Sequence, residues 1–500
     1  MSNYFGENKA EEGHGRQSLH GGAFSLAGRG INAAVQVGSV LFLARLLSPE
    51  DYGLVAMVLA VTGFAPVLVD LGTRDAVVQR ERLTPGEVSG LFWVTMGVAC
   101  VFALLVAASG SLIARIYNEP RLTSIALVSS LAFVASALIS QHHSLLRRAM
   151  KFRQIAVIEV GSNVLGAACA IAMAFYGLGY WALVVRPIAT LFFTAIGVWV
   201  QSRWLPGAPT FTSGVKEMLK FGLNLTGFCM TDFASRSSDR IAIGIKSGAR
   251  PLGYYQQAFM VYDNLLDLTA ALHSVAVVSL SKLRENLVEL KRLWAKGLST
   301  LAFYTMPIFG VLAVVSQDLV VVVLGEKWAT AGVLLSVLAL RGIPHSVERT
   351  LGWLHVAAGR ADRWMHWGFF AAAAQLVALF CGLPFGPMGI IVAYVLLTYV
   401  LFVPAIAFGG KPLGIGHGDV LEAVSRPLTG ALAAVGVGFL LRFTVCAELH
   451  ALPRMILLGF AYLGTYLLIM VGIFRIRTPL DIVFSLLRNM LPGRFAPIAR

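Results

Sequence analysis

Charge is what this chain has least of. Asp, Glu, Lys and Arg make up 13% of its 500 residues, where soluble domains carry about 25%. So small a stock cannot cover a water-facing surface, which excludes a soluble fold. Cysteine is nearly as scarce. The five, Cys100, Cys169, Cys229, Cys381 and Cys446, sit within or beside apolar blocks and show no paired spacing. That excludes a disulfide framework and a thiolate metal site, and leaves small buried hydrophobes. No Walker sequence, HExxH pattern or Cys/His ligand spacing occurs, so no metal is expected. No polar connector is long enough for a glycosyltransferase or ligase domain. Apolar residues do not alternate with a period of two, which removes a membrane β-barrel. Residues 1–21 lack a basic region leading into an apolar run and cleavage site, and they read as a cytoplasmic tail.

What is present is 57% hydrophobic residues, gathered into fourteen apolar blocks between Gly22 and Arg475. Each is about as long as the roughly 20 residues that cross a bilayer, where only helices or closed barrels satisfy the backbone. The expected fold is an all-α integral membrane protein with about 14 transmembrane helices. Turn signals such as Ser48-Pro49-Glu50-Asp51, Thr84-Pro85-Gly86 and Asn118-Glu119-Pro120 separate the blocks. Of the 40 Lys and Arg, 25 fall in the tails and in connectors that follow even-numbered blocks, against 8 in the other connectors. By the positive-inside rule both termini are cytoplasmic. The +14 net charge is dispersed over these loops, so membrane lipids are expected as partners and nucleic acid is not. Trp181, Trp204, Trp294, Trp328 and Trp364 lie near block ends, where an interfacial belt would place them.

The longest polar connector, 202–214, divides the membrane part into a six-helix lobe, 22–201, and a second lobe, 215–475. The second holds blocks seven to twelve plus two additional helices. Residues 476–500 form a cytoplasmic tail whose Leu480–Leu487 stretch suits an interfacial amphipathic helix. Tyr52-Gly53-Leu54 at block two is echoed by Leu252-Gly253-Tyr254 at block eight. Two bundles related by an axis along the membrane normal, with a site between them, would give such an echo.

An ionisable residue at membrane depth costs a few kcal/mol unless it meets a partner or water, so each one carries information. Ser25, Arg29, Asn32 and Gln36 recur at i, i+4, i+7 and i+11, a single polar line on block one. Asp232, Arg236, Asp239 and Arg240 share a face of block seven. Arg341, His345, Glu348 and Arg349 share one of block ten, and Gln256, Asp263 and Asp267 one of block eight. Block two ends in Asp70 and Arg74; block five carries Glu159 with Asn163 and block six Arg186 with Thr190. Asp232–Arg236 and Asp70–Arg74 are also readable as i,i+4 ion pairs, and Asp239, Arg240 and Arg349 as side chains snorkelling to an interface. Arg29 has no acid within a turn.

Guanidinium matches phosphate geometry and stays charged at physiological pH. Arg29, Arg186, Arg236, Arg341 and Arg349 are therefore the candidate ligands of a diphosphate headgroup in a wet, cation-lined cavity. The acids Glu159, Asp232, Asp263 and Asp267 are candidates for coupling to Na+ or H+, with no other cofactor expected.

The stretch Leu145-Leu146-Arg147-Arg148-Ala149-Met150-Lys151-Phe152-Arg153, then Ile158-Glu159-Val160 and Gly177-Leu178-Gly179-Tyr180-Trp181, resembles the bacterial polysaccharide repeat-unit flippases. Within them the chain is similar to the colanic-acid and exopolysaccharide branch. Leu47–Met57, Asp70-Leu71-Gly72 and Leu324-Gly325-Glu326-Lys327-Trp328 match as well. The resemblance implies the V-shaped, two-lobed fold of the multidrug/oligosaccharidyl-lipid/polysaccharide exporter superfamily and an alternating-access cycle. It implies a transporter, not an enzyme. Its cargo would be an undecaprenyl-diphosphate-linked oligosaccharide, moved across the bacterial inner membrane for exopolysaccharide or lipopolysaccharide synthesis. A polysaccharide polymerase and a chain-length regulator would be pathway partners. On this reading Asn32, Gln36, Asn224 and Gln256 contact sugar. Superfamily relatives that flip the peptidoglycan precursor carry cavity arginines on helix one, which puts Arg29 first. The alternative within the fold is a multidrug/cation antiporter, whose cavity would be dominated by acids and aromatics.

Overall fold

The structure, a computed structural model, describes residues 6–7, 14–64, 73–80, 82–208, 237–267, 279–281, 286–357, 361–446 and 448–476, with Val69, Phe233 and Leu283. It divides into two units, 1–256 and 257–500.

In the first unit, α1 (His14–Leu46) packs on α7 (Phe152–Phe175), which packs on α8 (Trp181–Ser202). α6 (Leu131–Arg148) lies against α8, α4 (Pro85–Ile116) and the short α3 (Thr73–Gln79); α5 (Arg121–Ser129) joins α4 to α2 (Pro49–Thr62). A two-residue antiparallel pair, β1 (Gly6–Glu7) and β2 (Arg82–Leu83), is the one sheet among the described residues. The turn signals are helix starts. Ser48 Oγ accepts from the Asp51 amide (3.2 Å) while Asp51 accepts from the Ser48 amide (2.8 Å), with Pro49 at the first helical position. Thr84, Pro85 and Glu87 repeat this for α4. Such reciprocal caps satisfy two otherwise orphaned donors, and proline there loses nothing. Outside the spans, Arg121 ties the start of α2 to the α4–α5 turn through Glu50 (2.6 Å) and Glu119 (2.7 Å). Its hydrogen bonds hold the Glu119 carboxyl below the usual carboxylate range.

The repeated glycines meet. A Cβ on Gly53 would strike the Ala249 carbonyl, and one on Gly253 would strike the Pro49 carbonyl. The first turns of α2 and of α9 (Ala249–Asp267) thus cross reciprocally, at a distance only glycine permits.

In the second unit, α10 (Leu287–Leu324) packs against α11 (Ala329–Ala357), α14 (His417–Phe443) and α15 (Ala451–Leu467). α13 (Gly386–Gly410) bridges α11 and α12 (Ala361–Gly382). At 38 residues, α10 is about 57 Å long, well beyond the expected block of 293–315 and a roughly 30 Å hydrocarbon core. Asn286 caps the Glu289 amide (3.2 Å), so the helix begins in its polar, lysine-rich turns.

Four prolines, Pro307, Pro344, Pro404 and Pro427, sit inside these helices, each leaving the carbonyl four residues earlier without its helical donor, and at two of them a tyrosine takes its place. Pro307 frees that of Phe303, which accepts from Tyr466 Oη (2.9 Å). Pro344 frees that of Leu340, which accepts from Tyr399 Oη (3.1 Å). Tyr466 is 2% exposed, so Tyr466→Phe is expected to lower stability by about 1–3 kcal/mol, read as a drop in thermal midpoint in detergent. An unchanged midpoint would show that water reaches the carbonyl.

Among the described residues nine helical segments are long and apolar enough to cross a membrane, one of which, Arg363–Gly410, contains both α12 and α13. α1, α2 and α9 occupy three further expected blocks; the seventh is described only at 233 and 237–247. Large apolar side chains face outward, including Leu104 at 71% exposed and Phe460 at 73%, as expected of surfaces that meet lipid. The all-α membrane fold is borne out. The tryptophan belt is not as expected: Trp204, Trp294 and Trp328 are at most 4% exposed. Rings at block ends fill gaps between helices; Trp204 lies 5.1 Å from His142 and 6.2 Å from Phe92.

Candidate functional site

In the first unit, α1 carries the polar line. Arg29 is exposed and, among the described residues, forms no ion pair or hydrogen bond through its side chain. Beside it Gly28 lies against Ala156 of α7, the close approach that sets the two helices side by side. Asn32, half-buried, accepts from Asn163 Nδ2 of α7 (3.2 Å). The polar lines of blocks one and five therefore meet. Gln36 is exposed; Glu159, also exposed, lies 3.3 Å from His143 Nε2. Arg186 is half-buried on α8, its side chain unpaired among the described residues and its carbonyl engaged by Thr190 Oγ1 (3.0 Å). Gln256 Oε1 is buried with no hydrogen-bond partner among the described residues. Asn224, Asp232 and Arg236 lie outside the described residues, as do Asp70 and the side chain of Ser25. Asp239 does not snorkel. It is 5% exposed and accepts from Tyr255 Oη (2.5 Å), because α9 supplies a buried partner for it.

In the second unit, the block-ten face lines a cavity of about 200 Å³ walled by α11, α12 and α13, and Arg341, His345, Glu348 and Arg349 all border it. Arg341 Nε donates to Thr398 Oγ1 (3.0 Å), and its guanidinium lies 5.4 Å from the Tyr394 ring centroid. Glu348 accepts from Trp367 Nε1 (3.4 Å). Tyr262 Oη is hydrogen-bonded to His345 Nδ1 (2.9 Å). Arg349 donates to the Leu266 carbonyl (3.1 Å) and stands 3.8 Å from Asp267, itself largely exposed. Asp263 is exposed on the same helix. The sequence reading missed the opposite wall: Trp364, Gln375 and Thr398 complete the lining. Gln375 and Thr398 are lone polar positions in long apolar blocks, which is the signal that could have found them.

The class that the fold defines is a polytopic helical membrane protein, with Arg186, Arg341 and Arg349 inside segments long and apolar enough to cross a bilayer. The fold is similar to that of a solved structure described as lipid II flippase MurJ, inward closed conformation, with a TM-score of 0.71 and 16% identity over 91% of this chain and 99% of that one. Residues 42–332 match the family described as polysaccharide biosynthesis protein, and the chain belongs to that family. It is 25% identical to the lipopolysaccharide biosynthesis protein WzxC of Escherichia coli K12, covering 81% of this chain and 84% of that one. It is 26% identical to the succinoglycan biosynthesis transport protein ExoT of Rhizobium meliloti, covering 81% and 82%.

Proposed function

We propose that this protein flips undecaprenyl-diphosphate-linked oligosaccharide repeat units from the cytoplasmic to the periplasmic leaflet of a bacterial inner membrane. The observation that carries the reading is Arg29, a guanidinium on a membrane helix with neither acid nor hydrogen-bond partner among the described residues. Such a group needs water or an anion beside it. A diphosphate whose lipid tail remains in the bilayer supplies that anion and explains why the helix around it is apolar. Arg186 stands in the same unit with its charge uncommitted. Asn32 and Gln36, along the same face, would contact the first sugars. Both termini are cytoplasmic on the distribution of Lys and Arg. The names of the relatives, which speak of lipopolysaccharide and of succinoglycan transport, favour this over export of cationic drugs. Glu159, Asp263 and Asp267, all exposed, are the described acids through which an Na+ or H+ gradient would bias the cycle, since a ligand shifts an equilibrium only by its differential affinity. The polymerase and chain-length regulator of the pathway would receive the product.

Cells deleted for this gene are expected to accumulate lipid-linked repeat units in the cytoplasmic leaflet and to lose surface polymer, with both restored by the wild-type chain. Unchanged polymer together with new sensitivity to cationic drugs would establish the antiporter instead.

A further inference from the structure

We infer that the chain's own C-terminal segment, 477–488, docks in the groove between the first turns of α10 and α14. It thereby clasps the α10–α14–α15 group at that end.

The groove has a volume of about 390 Å³, with Val288, Ala295 and Ala423 forming an apolar strip. Val288 is 80% exposed and the adjoining Leu287 48%. Both stand beside Glu289, Lys291 and Arg292, before the expected membrane block 293–315, so hydrocarbon does not cover them. An apolar strip rimmed by charge marks a surface made for a partner. Four charges border it, and three are committed. Lys291 is 2.8 Å from Asp419 and donates to the Gly414 carbonyl (3.3 Å), and Arg292 lies 4.0 Å from Glu289. Glu422 is exposed, and its carboxylate forms no ion pair or hydrogen bond among the described residues, not even with Arg426 one turn on. The open charge of the groove is negative.

Two independent registers bring the tail to it. α15 runs antiparallel to α14, and Gly430 meets Met470. Ile476 stands as far beyond Met470 as Val424 stands before Gly430. α15 is antiparallel to α10 as well, for Arg454 meets Asp318 and Tyr466 meets the Phe303 carbonyl. Ile476 stands as far beyond Tyr466 as Leu293 stands before Phe303. Both counts put Ile476 level with the groove. There the helix stops: Arg475 is left-handed (φ 54°) and the Ile476 amide closes on the Met470 carbonyl (2.9 Å), which turns the chain off the α15 axis.

The sequence that follows suits the strip. Thr478-Pro479-Leu480-Asp481 repeats the pattern by which Ser48-Pro49-Glu50-Asp51 and Thr84-Pro85-Gly86-Glu87 start helices as capping boxes, and it predicts a helix from Pro479. Leu480, Val483, Phe484 and Leu487 then share one face, with Asp481, Ser485 and Arg488 on the other. Arg477, just ahead of the cap, is the cation that Glu422 lacks. A bilayer surface is the poorer host, because interfacial helices are rich in Lys and Arg on their polar face. Residues 479–487 contain an aspartate and neither of these. The groove is also reached without a linker, which gives the tail the high effective concentration of a tethered ligand.

The test uses the full chain in lipid nanodiscs, with its five cysteines replaced by alanine. Phe484→Cys with Val288→Cys is expected to give an intramolecular product with a short bismaleimide cross-linker. Phe484→Cys with Phe460→Cys, on the lipid-facing surface of α15, should give none. Glu422→Arg should lower the first yield severalfold, and adding Arg477→Glu should restore it, a rescue that a merely misfolded variant would not show. A spin label at position 484 should be immobilised and shielded from membrane-dissolved oxygen. No product with Val288→Cys, or equal products with both partners, would overturn the docking. So would a label broadened by oxygen, which would place the tail on the bilayer, or a product found only between two chains. A yield indifferent to Glu422→Arg would overturn the ion pair that fixes the tail's register.

Discussion

Asp318→Ala is expected to destabilise the protein by about 3–5 kcal/mol, the range for removing one member of a buried ionic cluster. Asp318 is 1% exposed on α10. One of its oxygens accepts from Arg454 Nε (2.8 Å) and Nη2 (2.5 Å), the other from Arg442 Nη1 (3.0 Å). Arg442 also donates to Gln317 Oε1 (2.7 Å) and to the Val314 carbonyl (2.7 Å). A single carboxylate thus clasps the end of α14 and the start of α15 to α10. Its loss strands two guanidinium groups in a region with no other acid among their bonded partners. The direction is firm because hydrogen bonds to charged groups are the strong ones and an unpaired buried charge is the expensive case. Thermal or denaturant unfolding in detergent measures it. Replacing Asp318 and Arg442 together by apolar residues should recover part of the loss, as expected when the removed charges were each other's partners. A wild-type midpoint in Asp318→Ala would show that the cluster is solvated and contributes little.

The second large effect is at Arg29. Arg29→Ala is expected to weaken binding of undecaprenyl diphosphate in nanodiscs by tenfold or more, since hydrogen bonds to charged groups contribute about 1.5–3 kcal/mol each and 1.4 kcal/mol is tenfold. Arg29→Lys should retain part of the affinity, because an ammonium keeps the charge and loses the planar fork. Folding should be unaffected in both, as Arg29 forms no bond with another described residue and is exposed. A thermal midpoint that falls with the affinity would identify Arg29 as a structural group.

How much of this was legible follows physical range. Local features were read well: Ser48-Pro49-Glu50-Asp51 and Thr84-Pro85-Gly86-Glu87 are capped helix starts because a cap is settled within four residues. Helical spacing was read well too, and it puts Arg341, His345, Glu348 and Arg349 around one cavity. What spacing cannot give is the other wall. Thr398, which orients Arg341, is 57 residues away, and the partners of Asp318 are 124 and 136 residues away. Arg442 and Arg454 counted only as loop charges, since nothing near them in the chain announces an acid. The tryptophans failed for a related reason: position at a block end says nothing about whether a neighbouring helix covers the ring, as it does for Trp328. Asn32 with Asn163 lies between these cases, two polar lines each visible in sequence whose meeting only the fold reveals.

The central claim is that guanidinium groups on the membrane helices grip a phosphorylated lipid during its passage between leaflets. Its most direct measurement is a proteoliposome assay in which a labelled undecaprenyl-diphosphate oligosaccharide, loaded on one leaflet, becomes accessible to a membrane-impermeant probe on the other. The account predicts rapid exposure with wild-type protein, near-background exposure with Arg29→Ala, and intermediate exposure with Arg29→Lys. Equal exposure with wild type and Arg29→Ala would contradict it.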